Sequence, residues 1–259
     1  MKNWISAICH TNNTSIHYTR TGGNKPPVIL LHGLMTNGLC WTDLAHILEN
    51  EFDVIMPDAR GHGLSGVPDF GYTYNDHADD IAGLIASLQL HKPAVIGHSM
   101  GGMTTAVLAA NQPDLLKGIV LADPPFISFK VQREVRDSDV ADQHRKLLGQ
   151  SLTAVIADAK KRHPHRSAEN IEIFAQARLQ TSMAAFDVLT PPYPDYKLLA
   201  GKINIPCLLV FGDKGVVTKA IAEELPNMQA AQIPDAGHSL HMDQPARFTA
   251  IIRSFLYAL

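Results

Sequence analysis

The pentapeptide Gly97-His98-Ser99-Met100-Gly101 sets a serine between two glycines, directly after the apolar run Ala94 to Ile96 and at the start of a helical pattern. A hydroxyl held at such a strand-to-helix turn can act as the nucleophile of acyl transfer. The turn forces the serine backbone into a strained conformation, and glycines two before and two after it relieve the clashes between strand and helix. Gly101, Gly102, Thr104 and Thr105 are small enough for a helix packed closely under that turn. The bland alternative is a glycine-rich turn with a helix-capping serine, which the junction between strand and helix disfavours.

A serine hydroxyl is a poor nucleophile until a base removes its proton, and thirteen histidines are available. His238 lies in Asp235-Ala236-Gly237-His238-Ser239, a glycine turn between the apolar stretch Ala230 to Ile233 and a terminal helical pattern, Pro245 to Leu256. Its rival His241 lacks the preceding glycine. His10, His17, His91, His144 and His163 read as surface residues. Neither HExxH nor a carboxylate-histidine cluster is present, so no metal and no cofactor are expected.

The elements that must position these groups alternate. Val28 to Leu31, Val54 to Met56, Ala94 to Ile96, Ile119 to Leu121 and Cys207 to Phe211 read as buried strands, with helices over Trp41 to Leu48, Tyr74 to Leu90 and Ser99 to Asn111 between them. This rhythm implies an α/β, doubly wound, mostly parallel sheet. Polar alternation in Ser15 to Thr19 suggests an N-terminal antiparallel hairpin. From Phe126 to about Ala200 the pattern is helical without strands: Val131 to Leu148, Leu152 to Arg162, Ala168 to Thr181 and Ser182 to Leu189. Pro191, Pro192 and Pro194 close the segment. The expected organisation is a core domain of residues 1–125 and 201–259 with a helical cap insertion, 126–200.

With His32-Gly33 after one strand, Asp58-Ala59-Arg60-Gly61-His62-Gly63-Leu64-Ser65 after the next, the serine turn, and Gly237-His238 near the end, the chain resembles the α/β-hydrolase family in its serine esterase and lipase-like branch. The resemblance runs from about Val28 to Ala122 and from Ile205 onward. It implies an eight-stranded sheet with a cap over the site, and His238 as the base, in the chain order Ser, acid, His. It also implies the backbone N–H groups of Leu34 and Met100 as oxyanion donors. The loop Asp58 to Ser65 is expected to brace the site edge.

The acid departs from the family pattern. Its commonest position lies three residues past the glycine that ends the Cys207 to Phe211 strand, and here that position holds Gly215. Either Asp213 substitutes by a shift in register, or the acid comes from elsewhere. Asp123, at the end of the strand Ile119 to Leu121, is the preferred candidate, because some relatives of this fold take the acid from that strand. Its task, orienting and stabilising the imidazolium, tolerates approach from a neighbouring strand.

A helical insertion beginning after Asp123 would lie over Ser99, and Trp41, Phe126 and Phe186 are candidates for an apolar substrate pocket. The composition is that of an ordinary globular protein, with 46% apolar and 18% charged residues over 259 positions. The net charge of −3 argues against a nucleic-acid partner, and Lys160, Lys161 and Arg162 read as a solvated helix end. No apolar run approaches the ~20 residues of a membrane span. Cys9, Cys40 and Cys207 show no framework spacing, so a reducing, cytoplasmic setting is expected. The expected activity is hydrolysis of small to medium, mostly apolar carboxylic esters. Lactone or diketone C–C cleavage, and a slow-turnover ligand-binding regulator, remain as alternatives, and oligomeric state is left open.

Overall fold

Short apolar runs buried on both sides form the central strands of the structure, a computed structural model that describes residues 4–225 and 227–259. The strands are β1 (Ile5–Thr11), β2 (Thr14–Arg20), β3 (Pro27–Leu31), β4 (Asp53–Pro57), β5 (Ala94–His98), β6 (Gly118–Ala122), β7 (Cys207–Lys214) and β8 (Gln229–Gly237). They build one eight-stranded sheet in the order β1-β2-β4-β3-β5-β6-β7-β8. β1 and β2 pair antiparallel, as do β2 and β4, and every other neighbour is parallel. The β1–β2 turn uses Asn12 and Asn13, both at positive φ (43° and 60°), the twist that suits a two-residue hairpin.

Alternation along each strand feeds two cores. Ile29, Leu31, Val95, Ile119 and Leu121 face one layer, which contains α2 (Tyr74–Ser87) and α3 (Met100–Asn111). Val28, Leu30, Ile96, Val120 and Ala122 face the other, against α1 (Thr42–Leu48) and the terminal helix. Parallel strands covered on both faces are continuous apolar runs for this reason.

Among the described residues no strand lies between Ala122 and Cys207. That segment holds α4 (Phe129–Arg136), α5 (Val140–Leu148), α6 (Leu152–Arg162), α7 (Ala168–Leu179), a 3₁₀ stretch (Met183–Leu189) and α8 (Tyr196–Lys202). The chain then adds α9 (Lys219–Glu223), α10 (Leu240–Asp243) and α11 (Pro245–Ala258). The single helix expected over Val131 to Leu148 is two. Ser138 Oγ donates to the Val135 carbonyl, a side-chain bond that competes with helical hydrogen bonding, and the next helix begins after Asp139. Two histidines expected at the surface are buried. Both nitrogens of the His17 ring are partnered, by Asp58 (2.8 Å) and Ser6 (2.8 Å), whereas the His144 ring meets the Thr181 carbonyl (2.9 Å) through Nε2 and leaves its buried Nδ1 unpartnered. No helix among the described residues is long and apolar enough to cross a membrane.

Candidate active site

Ser99 ends β5 and precedes α3 with φ 52° and ψ −118°, a conformation that a non-glycine residue adopts only when its surroundings hold it there. Two contacts explain why its flanking positions are glycine. A side chain at Gly97 would strike the Gly101 carbonyl and Thr105, and one at Gly101 would strike the carbonyls of Leu31 and His32. Helix α3 can therefore start directly against β5, with the Ser99 N–H donating to the Ala122 carbonyl at 3.0 Å.

His238 follows the end of β8. Its Nε2 lies 2.9 Å from Ser99 Oγ and its Nδ1 lies 2.6 Å from Asp123 Oδ2. When Nδ1–H donates to the carboxylate, Nε2 keeps a lone pair for the serine hydroxyl. The Asp123 carboxylate is fully buried, whereas the His238 side chain is 42% exposed. Burial without loss is achieved by two more donors. The N–H groups of Val216 and Val217 reach Asp123 Oδ2 and Oδ1 at 2.9 and 2.8 Å. Asp123 itself has φ 44°, which turns the chain sharply at the end of β6. Asp213 stays exposed and accepts from the Ala236 N–H at 3.1 Å, so it braces β7 against β8 rather than meeting His238.

The loop carrying Leu34 passes directly against the serine. The Gly101 N–H donates to the His32 carbonyl at 3.1 Å, and a Cβ on Gly33 would lie 3.2 Å from Ser99 Cβ. Met100 is the first residue of α3, so its N–H has no acceptor within the helix. The loop is held by histidines whose roles were not read from the sequence. His32 accepts from the Ala59 N–H (2.9 Å) through Nε2 and donates to the Gly33 carbonyl (2.8 Å) through Nδ1. His62 accepts from the Met35 N–H at 3.3 Å. Burial holds His32 below the ordinary imidazole pKa and His62 well below it, so both remain neutral and keep the lone pairs these bonds need.

His98, next to the serine, donates from Nε2 to the His238 carbonyl at 2.8 Å. Burial, then the neighbouring His241 and His238, push its pKa well down. Its position in the glycine turn was the available signal, since a residue beside a strained serine must point somewhere definite. The loop Asp58 to Ser65 braces as expected: Asp58 accepts from the N–H groups of Gly38 (2.8 Å) and Leu64 (2.9 Å), and Arg60 pairs with buried Asp80 at 2.6 Å.

The side chains expected to line a pocket, Trp41, Phe126 and Phe186, are all buried. Phe126 is fully buried and stacks on Tyr196 (5.1 Å), and Phe186, 4% exposed, packs on His144 (4.9 Å). Phe126 packs in the core layer that also holds Leu121, Met103 and Phe211. Trp41 is 2% exposed and packs on His241 (4.5 Å), where it lines a cavity beside the catalytic edge. Among the described residues no group of three or more His, Cys, Asp or Glu side chains could hold a metal ion.

Comparison with known proteins follows this geometry. The profile of the alpha/beta hydrolase fold matches residues 26–245. The 2-(acetamidomethylene)succinate hydrolase of Mesorhizobium japonicum is 30% identical over 262 residues, covering 92% of this chain and 91% of that protein. The crystal structure of E-2-(acetamidomethylene)succinate hydrolase is similar with a TM-score of 0.85 at 27% identity, over 98% of this chain and 99% of that one. The enol-lactonase of Burkholderia xenovorans LB400 has a TM-score of 0.78 at 26% identity, over 97% and 100%.

Proposed function

The chain belongs to the alpha/beta-hydrolase family, and from that premise we propose that it is a serine hydrolase cleaving small to medium, mostly apolar carboxylic esters through an acyl-enzyme. The observation that carries this reading is the continuous hydrogen-bonded line from Ser99 Oγ through the His238 ring to Asp123, at 2.9 and 2.6 Å.

In the proposed mechanism His238 Nε2 takes the Ser99 proton as Oγ attacks the ester carbonyl. Asp123 holds the ring in the required tautomer and stabilises the imidazolium. The N–H groups of Leu34 and Met100 receive the developing oxyanion, aided by the positive end of α3. His238 then returns the proton to the leaving alcohol oxygen. Water, deprotonated by the same nitrogen, releases the acid and regenerates Ser99. The exposed face of His238 supports access for both substrate and water.

We read residues 126–200 as a cap over this site. Support comes from two ties to loops flanking the serine: Asn37 donates to the Gln180 side chain at 3.0 Å, and the Ser182 N–H to the Gly61 carbonyl at 2.8 Å. The three free cysteines, two of them buried, favour a cytoplasmic setting.

Likeness to an enol-lactonase across nearly the whole chain favours a second reading, lactone opening by the same three residues. A panel of aryl esters, lactones and vinylogous diketones, run on wild type and Ser99→Ala together, separates the two. Turnover of esters that Ser99→Ala loses supports the proposal. Activity confined to lactones or diketones replaces it, and activity that survives in Ser99→Ala refutes both.

A further inference from the structure

A cavity of ≈ 200 Å³ adjoins the catalytic edge without belonging to the hydrogen-bonded line that ends at Ser99. Its walls include Trp41, Arg166, Asn170, Phe174, His241 and Phe248. Two buried side-chain atoms in these walls have no hydrogen-bond partner. Trp41 is 2% exposed, and its Nε1–H, a donor only, meets no acceptor. His241 Nδ1 is likewise buried and unpartnered. The Arg166 guanidinium lies 5.5 Å from the Phe174 ring centroid and takes part in no ion pair or hydrogen bond among the described residues.

The nearby carboxylates do not supply the missing acceptors. Asp43 is engaged by the Asn170 amide at 2.9 Å, and Asp243 accepts from the Gly237 N–H at 2.8 Å. Burial lowers the pKa of Arg166, and Asp243 only partly opposes it. A guanidinium stays charged in a protein, so Arg166 is a partly desolvated cation with no carboxylate within ion-pairing distance among the described residues. A buried indole donor, an imidazole nitrogen that can donate in one tautomer and a cation with no carboxylate in ion-pairing distance surround one space, which suits a ligand that brings oxygen acceptors and negative charge. The flat guanidinium fork matches a carboxylate, and the Trp41, Phe174 and Phe248 rings suit the hydrocarbon attached to it.

We propose that this cavity binds a carboxylate-bearing small molecule, with the carboxylate on Arg166 and the carbon skeleton against Trp41 and Phe174. A row of tilted and edge-on rings links the site to His238. The ring centroids of Trp41 and His241 are 4.5 Å apart, those of His241 and His98 4.7 Å, and those of His98 and His238 4.8 Å. The carboxylate belongs either to a remote arm of the substrate or to a separate small acid. Binding itself is independent of the hydrolytic reading, and only the choice between these sources rests on it.

The test uses glutarate, titrated by calorimetry into full-length Ser99→Ala protein, so that no turnover is needed. Saturable binding is expected, weakened about tenfold or more by Arg166→Gln, the loss of one charge-assisted pair, and less by Arg166→Lys. Arg162→Gln, which removes a guanidinium already paired with Asp158 at 2.7 Å, is expected to weaken it less than Arg166→Gln does. No saturable binding, or equal binding to the Arg166→Gln protein, overturns the proposal. Mono-p-nitrophenyl glutarate and p-nitrophenyl butyrate then identify the source. A KM rise in Arg166→Gln that is larger for the glutarate ester assigns the site to the substrate's own carboxylate. Equal changes, with free glutarate altering butyrate hydrolysis in the wild type, assign it to a separate acid. If neither ester turns over while glutarate still binds, the hydrolytic reading fails and the site stands.

Discussion

A Cβ on Gly215 would lie 2.7 Å from Asp123 Oδ1 and 2.9 Å from Oδ2. The carboxylate of Asp123 fills the space that a side chain at position 215 would use. The following N–H groups, those of Val216 and Val217, close around the same carboxylate. Asp123 and Gly215 therefore share one space, and a side chain at 215 must displace the carboxylate.

Exchange of the acid should show this. Gly215→Ala is expected to lower kcat and to cost about 1–3 kcal/mol of stability, the usual penalty for overpacking. Asp123→Gly should nearly abolish turnover, and the double variant Asp123→Gly/Gly215→Asp should recover at least about tenfold of it, since a carboxylate at 215 enters the vacated space. A double variant no more active than Asp123→Gly alone would count against the arrangement.

Asp123→Asn should lower kcat by roughly 10⁴, by comparison with the best-studied Ser-His-Asp triad. Asp213→Asn should cost far less, because Asp213 meets only a backbone N–H. Steady-state kinetics on the two variants decide between the carboxylates, and the reverse pattern would shift the assignment to Asp213.

A fluorophosphonate should label Ser99 and no other serine, since Ser99 Oγ alone is recorded within hydrogen-bonding distance of His238 Nε2 among the described residues. Peptide mass spectrometry locates the adduct. Labelling should fall with His238→Ala but persist with His241→Ala, whose ring packs on Trp41 instead. A label on a different serine contradicts the nucleophile assignment.

Phe126→Ala should act on stability. The ring is fully buried, and deleting a buried phenylalanine costs about 3–5 kcal/mol. Urea denaturation measures the loss, and an unchanged midpoint with altered ester chain-length preference would return Phe126 to the substrate pocket.

Acid sensitivity follows from the buried histidines. Burial lowers His77 from 6.5 to about 3, and its Nε2 has no partner. The unfolded chain takes up this proton below about pH 6.5 while the folded chain does not, so stability is full above that pH and declines as pH falls towards 3. His77→Leu should therefore gain on the wild type by about 2 kcal/mol between pH 7 and pH 5. Denaturation midpoints at the two pH values give the difference, and a gap that does not widen on acidification would place the pKa near its ordinary value.

Local features were legible in the sequence because local sterics produce them. Gly97 and Gly101 have no side chain where β5 meets α3, and that alone requires a strained turn at Ser99. Apolar runs buried on both faces similarly announced the parallel strands. Tertiary structure decided the rest. Asp123 and His238 are 115 positions apart, and their 2.6 Å contact depends on the register of β6 against β7 and on the backbone of residues 215–217. No spacing rule encodes such a distance. Aromatic side chains at helical spacing have the same sequence signature whether they face a substrate or each other, so Phe126 and Phe186 could be placed only by their neighbours. For His17 and His144, burial turned on a carboxylate and a carbonyl brought from 41 and 37 positions away. Those partners lie far off in the sequence and reach the two rings only after the chain has folded.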